Sequence, residues 1–368
     1  MRSIYMTIVA ATLVFGFLMP QTGPRRKNYI LLMTAIHIFI SGFRYQFLTG
    51  DLMKYHTSFQ YFAGQDWFSE AVWNGGKNFG FFLYMKLIHF LTGGNYQTVL
   101  FVVAVVIHAV LALMVYRYSP APWMSYLLWN CMAFYIFGFS AMKQSLAMAF
   151  TMLSFVGIAN RNLKYYLVCM AIAGAIHMPS LVFLPAYWFC QMKIKPWTLL
   201  MYVIMGFALF TFKNQFIQFI SSFYYEDDEI FVYSGHIGNR FIMILGFTLF
   251  SLVFSGFENP NLEKLFSIMA ISTMLQMFSS FDNIFTRMTD YYFQLSVLYL
   301  PMVFYSSNQP MQRHAMQPML RFNARSKHLL AILVVIFAIW FYYTCNININ
   351  ISYSVDDYLN YRFLWDVK

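Results

Sequence analysis

Residues Gln97–Tyr116, QTVLFVVAVVIHAVLALMVY, are 20 consecutive positions without an Asp, Glu, Lys or Arg. A helix needs about 20 mainly apolar residues to cross the hydrocarbon core of a bilayer, so this run reads as a transmembrane helix. Working outward, apolar runs recur along the chain, from Ile4–Met19 to Leu329–Thr344, with Trp123–Phe139, Leu146–Ala159, Ser180–Cys190 and Tyr291–Tyr305 among them. Twelve are expected to span. Several are short for a perpendicular crossing, which tilt, local thinning or burial among other helices accommodates. Phe79–Thr92 is interrupted by Lys86 and His89 and reads as an interfacial or re-entrant helix. Met1–Met19 has the look of a signal peptide but no clear small-residue cleavage site, and reads as the first span.

Composition agrees with this reading. Of 368 residues 60% are hydrophobic and 10% charged, where soluble domains carry about 25% charged residues. Forty-two Phe suit lipid contact, while 27 Tyr and 8 Trp suit the headgroup interface. The net charge of +10 is scattered between apolar runs and forms no basic face, which excludes nucleic acid as a partner and leaves membrane lipid. Cys131, Cys169, Cys190 and Cys345 form no CxxC pair and read as structural thiols. No P-loop or GxGxxG follows a strand. No repeat period or inverted halves emerge.

The expected fold is therefore all-α: one integral membrane domain over residues 1–368, a polytopic helical bundle with both termini outside. Residues 44–96 and 213–240 are extracytoplasmic loops and 306–328 a basic cytoplasmic loop. The loops assigned inside carry a net +11 and the outer side −1, the asymmetry the positive-inside rule describes.

The outer ends of these runs collect Arg44, Asp51, Lys143, Gln144, His177, Arg240, Asp282 and Arg287. An ionisable group near hydrocarbon needs a partner, a wet cavity or an anionic ligand. Simpler readings stand beside the functional one: a snorkelling arginine for Arg44, an ion pair between Asp282 and Arg287, and a hydrogen-bonded core residue for a lone histidine. His37, His89 and His108 are assigned that last role. Lys143 has no acid within a helical turn. His177 closes a small-residue segment with Ala171 and Ala175 at the spacing that permits close helix approach. Cations and a histidine at an outer mouth suit the activated anion found on that side, a polyprenyl-diphosphate lipid. Cations would stabilise leaving-group charge, and a histidine or aspartate would serve as base toward a sugar hydroxyl.

At these residues the chain resembles the EpsG family, grouped with Wzy-type polysaccharide repeat-unit polymerases. Arg44-Tyr45, Gly50-Asp51 and Tyr55 resemble its opening segment. Asn78-Phe79-Gly80-Phe81 with Gly94-Asn95-Tyr96, the stretch Phe139 to Ala147, His177-Met178-Pro179-Ser180, and Arg287 with Tyr291-Tyr292-Phe293 are similar to later ones. Lys143 stands where the family has arginine, which keeps the charge and loses the bidentate fork. Met178-Pro179 stands where small residues are usual.

The resemblance implies a GT-C-like glycosyltransferase of the bacterial cytoplasmic membrane, its site facing outward. It would join repeat units of O-antigen, capsule or exopolysaccharide by moving the growing glycan from undecaprenyl diphosphate to the next lipid-linked unit. No metal or other cofactor is expected, and a chain-length regulator is a further expected partner. His177 and Asp51 are the expected catalytic residues. Arg44, Lys143, Arg287 and Arg240 are expected to bind diphosphate, with Gln144, Tyr55, Asp282 and Tyr291 in support. The competing classes are a lipid-linked oligosaccharide flippase or other transporter, which would favour internal repeats, and a membrane O-acyltransferase, which would need a cytosolic acyl donor.

Overall fold

The computed structural model describes residues 3–67, 69–70, 78–224, 238–257, 259–281, 284–305, 318, 323–344 and 361–366. Among these residues the regular elements are helices, and an isolated antiparallel bridge joins Arg44 to Phe363. Two compact units form. The first comprises residues 1–153, 168–178 and 329–368, the second 154–167 and 179–328.

The first unit contains α1 (Ser3–Leu18), α2 (Arg26–Gly42), α3 (Gly50–Ala63), α4 (Phe79–Thr92), α5 (Tyr96–Tyr118) and α6 (Pro122–Cys131). The chain leaves it within α7 (Met142–Ala159) and returns within α8 (Leu163–Ile176). The second unit contains α9 (Pro196–Thr211), α10 (Lys213–Tyr224), α11 (Asn239–Phe250), α12 (Pro260–Gln276), α13 (Ile284–Phe293) and α14 (Ser296–Tyr305). The last long helix is α15 (Ala324–Tyr342).

Local chemistry sets several of these boundaries. Asn95 caps α5 by accepting a hydrogen bond from the Gln97 amide at 3.0 Å, and Arg117 sits in its last turn, where a cation complements the helix dipole. α4 stops at Gly93 (φ +63°) and Gly94 (φ +94°), a left-handed pair suited to glycine. α12 starts with the Asn259 cap and Pro260, a residue that loses nothing at a first turn because that amide has no helical partner.

Among the described residues, Tyr96–Tyr118, Met142–Ala159 and Arg325–Tyr342 are long and apolar enough to cross a membrane, and seven further apolar segments are shorter. From Leu329 onward α15 is apolar all round. Leu329, Leu333, Ile336 and Trp340 are exposed on one face, while Ala331, Val335, Ala338 and Tyr342 are buried on the other. A helix with an exposed apolar face is built for lipid contact.

Three expected runs are not continuous helices. Trp123–Phe139 breaks at Ala133, whose φ is +66°, and resumes as a single turn over Phe134–Phe137. The break follows Asn130, pinned by bonds to His37 (2.9 Å) and Thr12 (3.2 Å). Ser180–Cys190 is a 3-10 segment, Met178–Phe183, followed by one turn at Ala186–Phe189. Pro179 and Pro185 supply no amide hydrogen to a continuous ladder. Tyr291–Tyr305 divides between α13 and α14. By contrast, Phe79–Thr92 is a helix over the expected residues. Lys86 in its middle is buried and donates from Nζ to the carbonyls of Phe62 (3.1 Å) and Gln65 at the end of α3.

Candidate functional site

Within the first unit, four separated segments converge. Thr49 caps α3 through the Leu52 amide at 3.3 Å, which places Asp51 and Tyr55 on its first turns. Lys143, at the start of α7, holds its ammonium 5.7 Å from the Tyr55 ring centroid, and the Asp51 charge acts on it. Lys143 and Asp51 are both half-buried. Tyr55 in turn meets Phe81 of α4 edge-on, with ring centroids 5.5 Å apart.

The start of α4 leads to the histidine. His177 Nδ1 lies 3.0 Å from Asn78 Oδ1. An amide oxygen accepts, so Nδ1 carries a proton, and in the neutral ring the lone pair is on Nε2. A close approach holds this pair: a Cβ on Gly80 would lie 2.8 Å from the Ala175 carbonyl carbon and oxygen. Gly80 is therefore what lets α4 reach the end of α8. Gln144, next to Lys143, is buried. The result is a half-buried ammonium, a carboxylate that acts on it and an imidazole of fixed tautomer, linked through Tyr55 and Phe81.

Arg44 occupies a different setting in the same unit. It is only 1% exposed. Its Nη1 donates to the Ser41 carbonyl, and the guanidinium lies 5.2 Å from the Phe139 ring centroid. Residues near the end of the chain cover this region. The Tyr45 amide donates to Arg362 O (2.8 Å), the Leu364 amide to Phe43 O (2.9 Å), and the Tyr361 hydroxyl to Ile40 O (2.7 Å). Burial lowers the guanidinium pKa, and the phenols of Tyr96, Tyr135, Tyr361 and Tyr5 oppose that shift.

The second unit holds Arg240, Arg287 and Tyr291. Arg240 is ion-paired to Asp290 and lies 5.5 Å from the Phe293 ring centroid. Burial pushes the Asp290 carboxyl up, while Arg240 and Arg287 pull it down. Arg287 is exposed and Tyr291 buried. Asp282 lies outside the described residues.

Sequence reasoning passed over two residues. Asn78 stands within a quoted motif, and what marks it is the tertiary bond to His177. Asp290 is the sole acid of α13, three residues after Arg287, a spacing that already put both on one helix face. Among the described residues no group of three or more His, Cys, Asp or Glu side chains is placed to hold a metal ion.

A family model described as the EpsG family matches residues 27–363. No curated protein and no solved structure matches.

Proposed function

The chain belongs to the EpsG family, and from that premise we propose that it polymerises lipid-linked oligosaccharide repeat units at the outer face of the bacterial cytoplasmic membrane. Family membership and the apolar helices make it a polysaccharide polymerase-like membrane protein. The finer reaction is our reading. The growing glycan leaves undecaprenyl diphosphate and joins a hydroxyl at the non-reducing end of the next lipid-linked unit. The observation that carries this reading is the convergence of Asp51, Tyr55, Asn78, Lys143 and His177 from separate family-like segments within the first unit.

In this scheme the acceptor hydroxyl attacks the anomeric carbon of the donor. The bond from that carbon to the diphosphate oxygen breaks, and the electron pair leaves with the diphosphate. His177 Nε2 takes the hydroxyl proton. Histidine is the side chain that changes charge nearest neutral pH, which suits a general base. Asn78 keeps a proton on Nδ1, which assigns the base role to Nε2. Lys143 stabilises the charge that develops on the leaving diphosphate. Asp51, whose charge acts on the Lys143 ammonium, orients the acceptor.

Arg44 contributes as a fixed buried charge rather than as a direct diphosphate contact, because a side chain this deeply covered does not reach a lipid headgroup.

The test is chain growth in cells lacking the wild-type gene. His177→Ala retains binding of the lipid-linked donor and yields single repeat units on a glycan gel, while Asp51→Asn keeps measurable polymer. Full-length polymer from His177→Ala removes the base assignment.

A further inference from the structure

Beside Arg44 the first unit encloses a cavity with about 10 Å3 open to the centre of a water-sized sphere, lined by Ser41, Arg44, His108, Trp129 and Tyr135 among apolar neighbours. All five are almost completely buried, with Arg44 at 1%, His108 and Tyr135 at 3%, Trp129 at 4% and Ser41 at 5% exposure. Three of them carry polar atoms that no described residue pairs, namely Arg44 Nε and Nη2, His108 Nε2 and Trp129 Nε1. Buried polar atoms are nearly always satisfied. Three exceptions on one cavity point to a shared partner.

Donor and acceptor chemistry identifies that partner. A guanidinium and an indole can only donate. His108 Nδ1 lies 2.8 Å from the Ala104 carbonyl oxygen, which can only accept. The proton is therefore on Nδ1, and Nε2 presents a lone pair. The guest must accept from Arg44 and from Trp129 and must donate to His108. Water does all three, the usual number of bonds for a buried water. A halide accepts but cannot donate. It would require a protonated His108, which sets a second buried cation beside Arg44, a guanidinium whose electrostatic neighbours include four phenols. Size agrees: one water needs roughly 10–15 Å3 by this measure, and a phosphate or a sugar needs far more.

We propose that this cavity is a binding site for one water molecule bridging Arg44, Trp129 and His108, and that Trp129 and His108 thereby act as positioning residues for the buried guanidinium. The water ties α2's end to α5 and α6 through hydrogen bonds rather than through packing. It supplies one of the contacts that the bond from Arg44 to the Ser41 carbonyl leaves unmade.

The experiment uses the full chain in lipid nanodiscs. A high-resolution map shows one water-sized density within hydrogen-bond distance of the three groups, and 15N-histidine spectra show His108 neutral with its proton on Nδ1. His108→Leu lowers the unfolding midpoint by about 2 °C, while His108→Gln, which keeps an acceptor, restores most of that loss. A merely space-filling role predicts the reverse order, because Leu fits an apolar cavity better than Gln. An anomalous peak at the site after bromide exchange overturns the proposal in favour of an anion. A dry cavity in the wild-type map overturns it as well, and that measurement does not depend on any variant folding.

Discussion

Replacing Gly80 with alanine isolates the contact on which the proposed base depends. The added Cβ would meet the Ala175 carbonyl carbon and oxygen at 2.8 Å and the Ala175 Cβ at 2.9 Å. Carbon atoms prefer separations of about 3.5–4.0 Å, so α4 and the end of α8 must part by roughly 0.7–1 Å. The obstacle is backbone, which cannot rotate aside as a side chain can. Overpacking of this kind costs about 1–3 kcal/mol, which a folded bundle survives. The larger effect falls on geometry. Asn78 sits two residues before Gly80, and its 3.0 Å bond to His177 stretches past the range in which a hydrogen bond holds a tautomer. Misplacing a reacting group by about 1 Å can cost on the order of 100-fold in rate. The expected result is an approximately 100-fold slower growth of polymer from a lipid-linked repeat unit, with purified yield and unfolding midpoint only modestly reduced. Products are read as a ladder on a glycan gel. Gly246→Ala is the control, since nothing lies within 4 Å of a Cβ at that position. If Gly80→Ala extends chains as fast as Gly246→Ala, the close approach does not position His177 and the argument fails.

Other outcomes follow from the same geometry. Lys143→Ala should weaken use of the diphosphate donor by about 1.5–3 kcal/mol, the worth of a charge-assisted hydrogen bond, and Lys143→Arg should recover much of it; equal activity in all three proteins would remove Lys143 from the leaving-group role. Arg240→Ala leaves Asp290 buried without its ion-pair partner, so thermal unfolding should show a loss of about 3 kcal/mol, and adding Asp290→Asn should restore most of it. Cysteine labelling in intact cells should modify Asp51→Cys from outside and leave Ser326→Cys untouched, as the +11 against −1 charge division requires; labelling of Ser326→Cys would reverse the topology.

Much of this protein is legible in local sequence. A 20-residue apolar run and 10% charged residues mark membrane helices because hydrocarbon tolerates neither bare backbone nor unpaired charge. The same cost makes Asp51, Lys143 and His177 stand out, since polar side chains at the ends of apolar runs need a reason to be there. The helix Phe79–Thr92 is readable to its last residue, as the Gly93-Gly94 pair stops it whatever surrounds it. What apolar runs do not reveal is where they bend: the turn at Ala133 follows Asn130, which is hydrogen-bonded to His37 93 positions away. Nor do they reveal partners. His177 finds Asn78 across 99 residues, Arg240 finds Asp290 across 50, and Arg44 lies beneath a segment that Tyr361 anchors to Ile40 across 321. Composition and periodicity report what each side chain requires of its surroundings, solvent, lipid or a counter-charge. Which group meets the requirement is set by packing between helices, and a gap of one methyl group at Gly80 is enough to decide it.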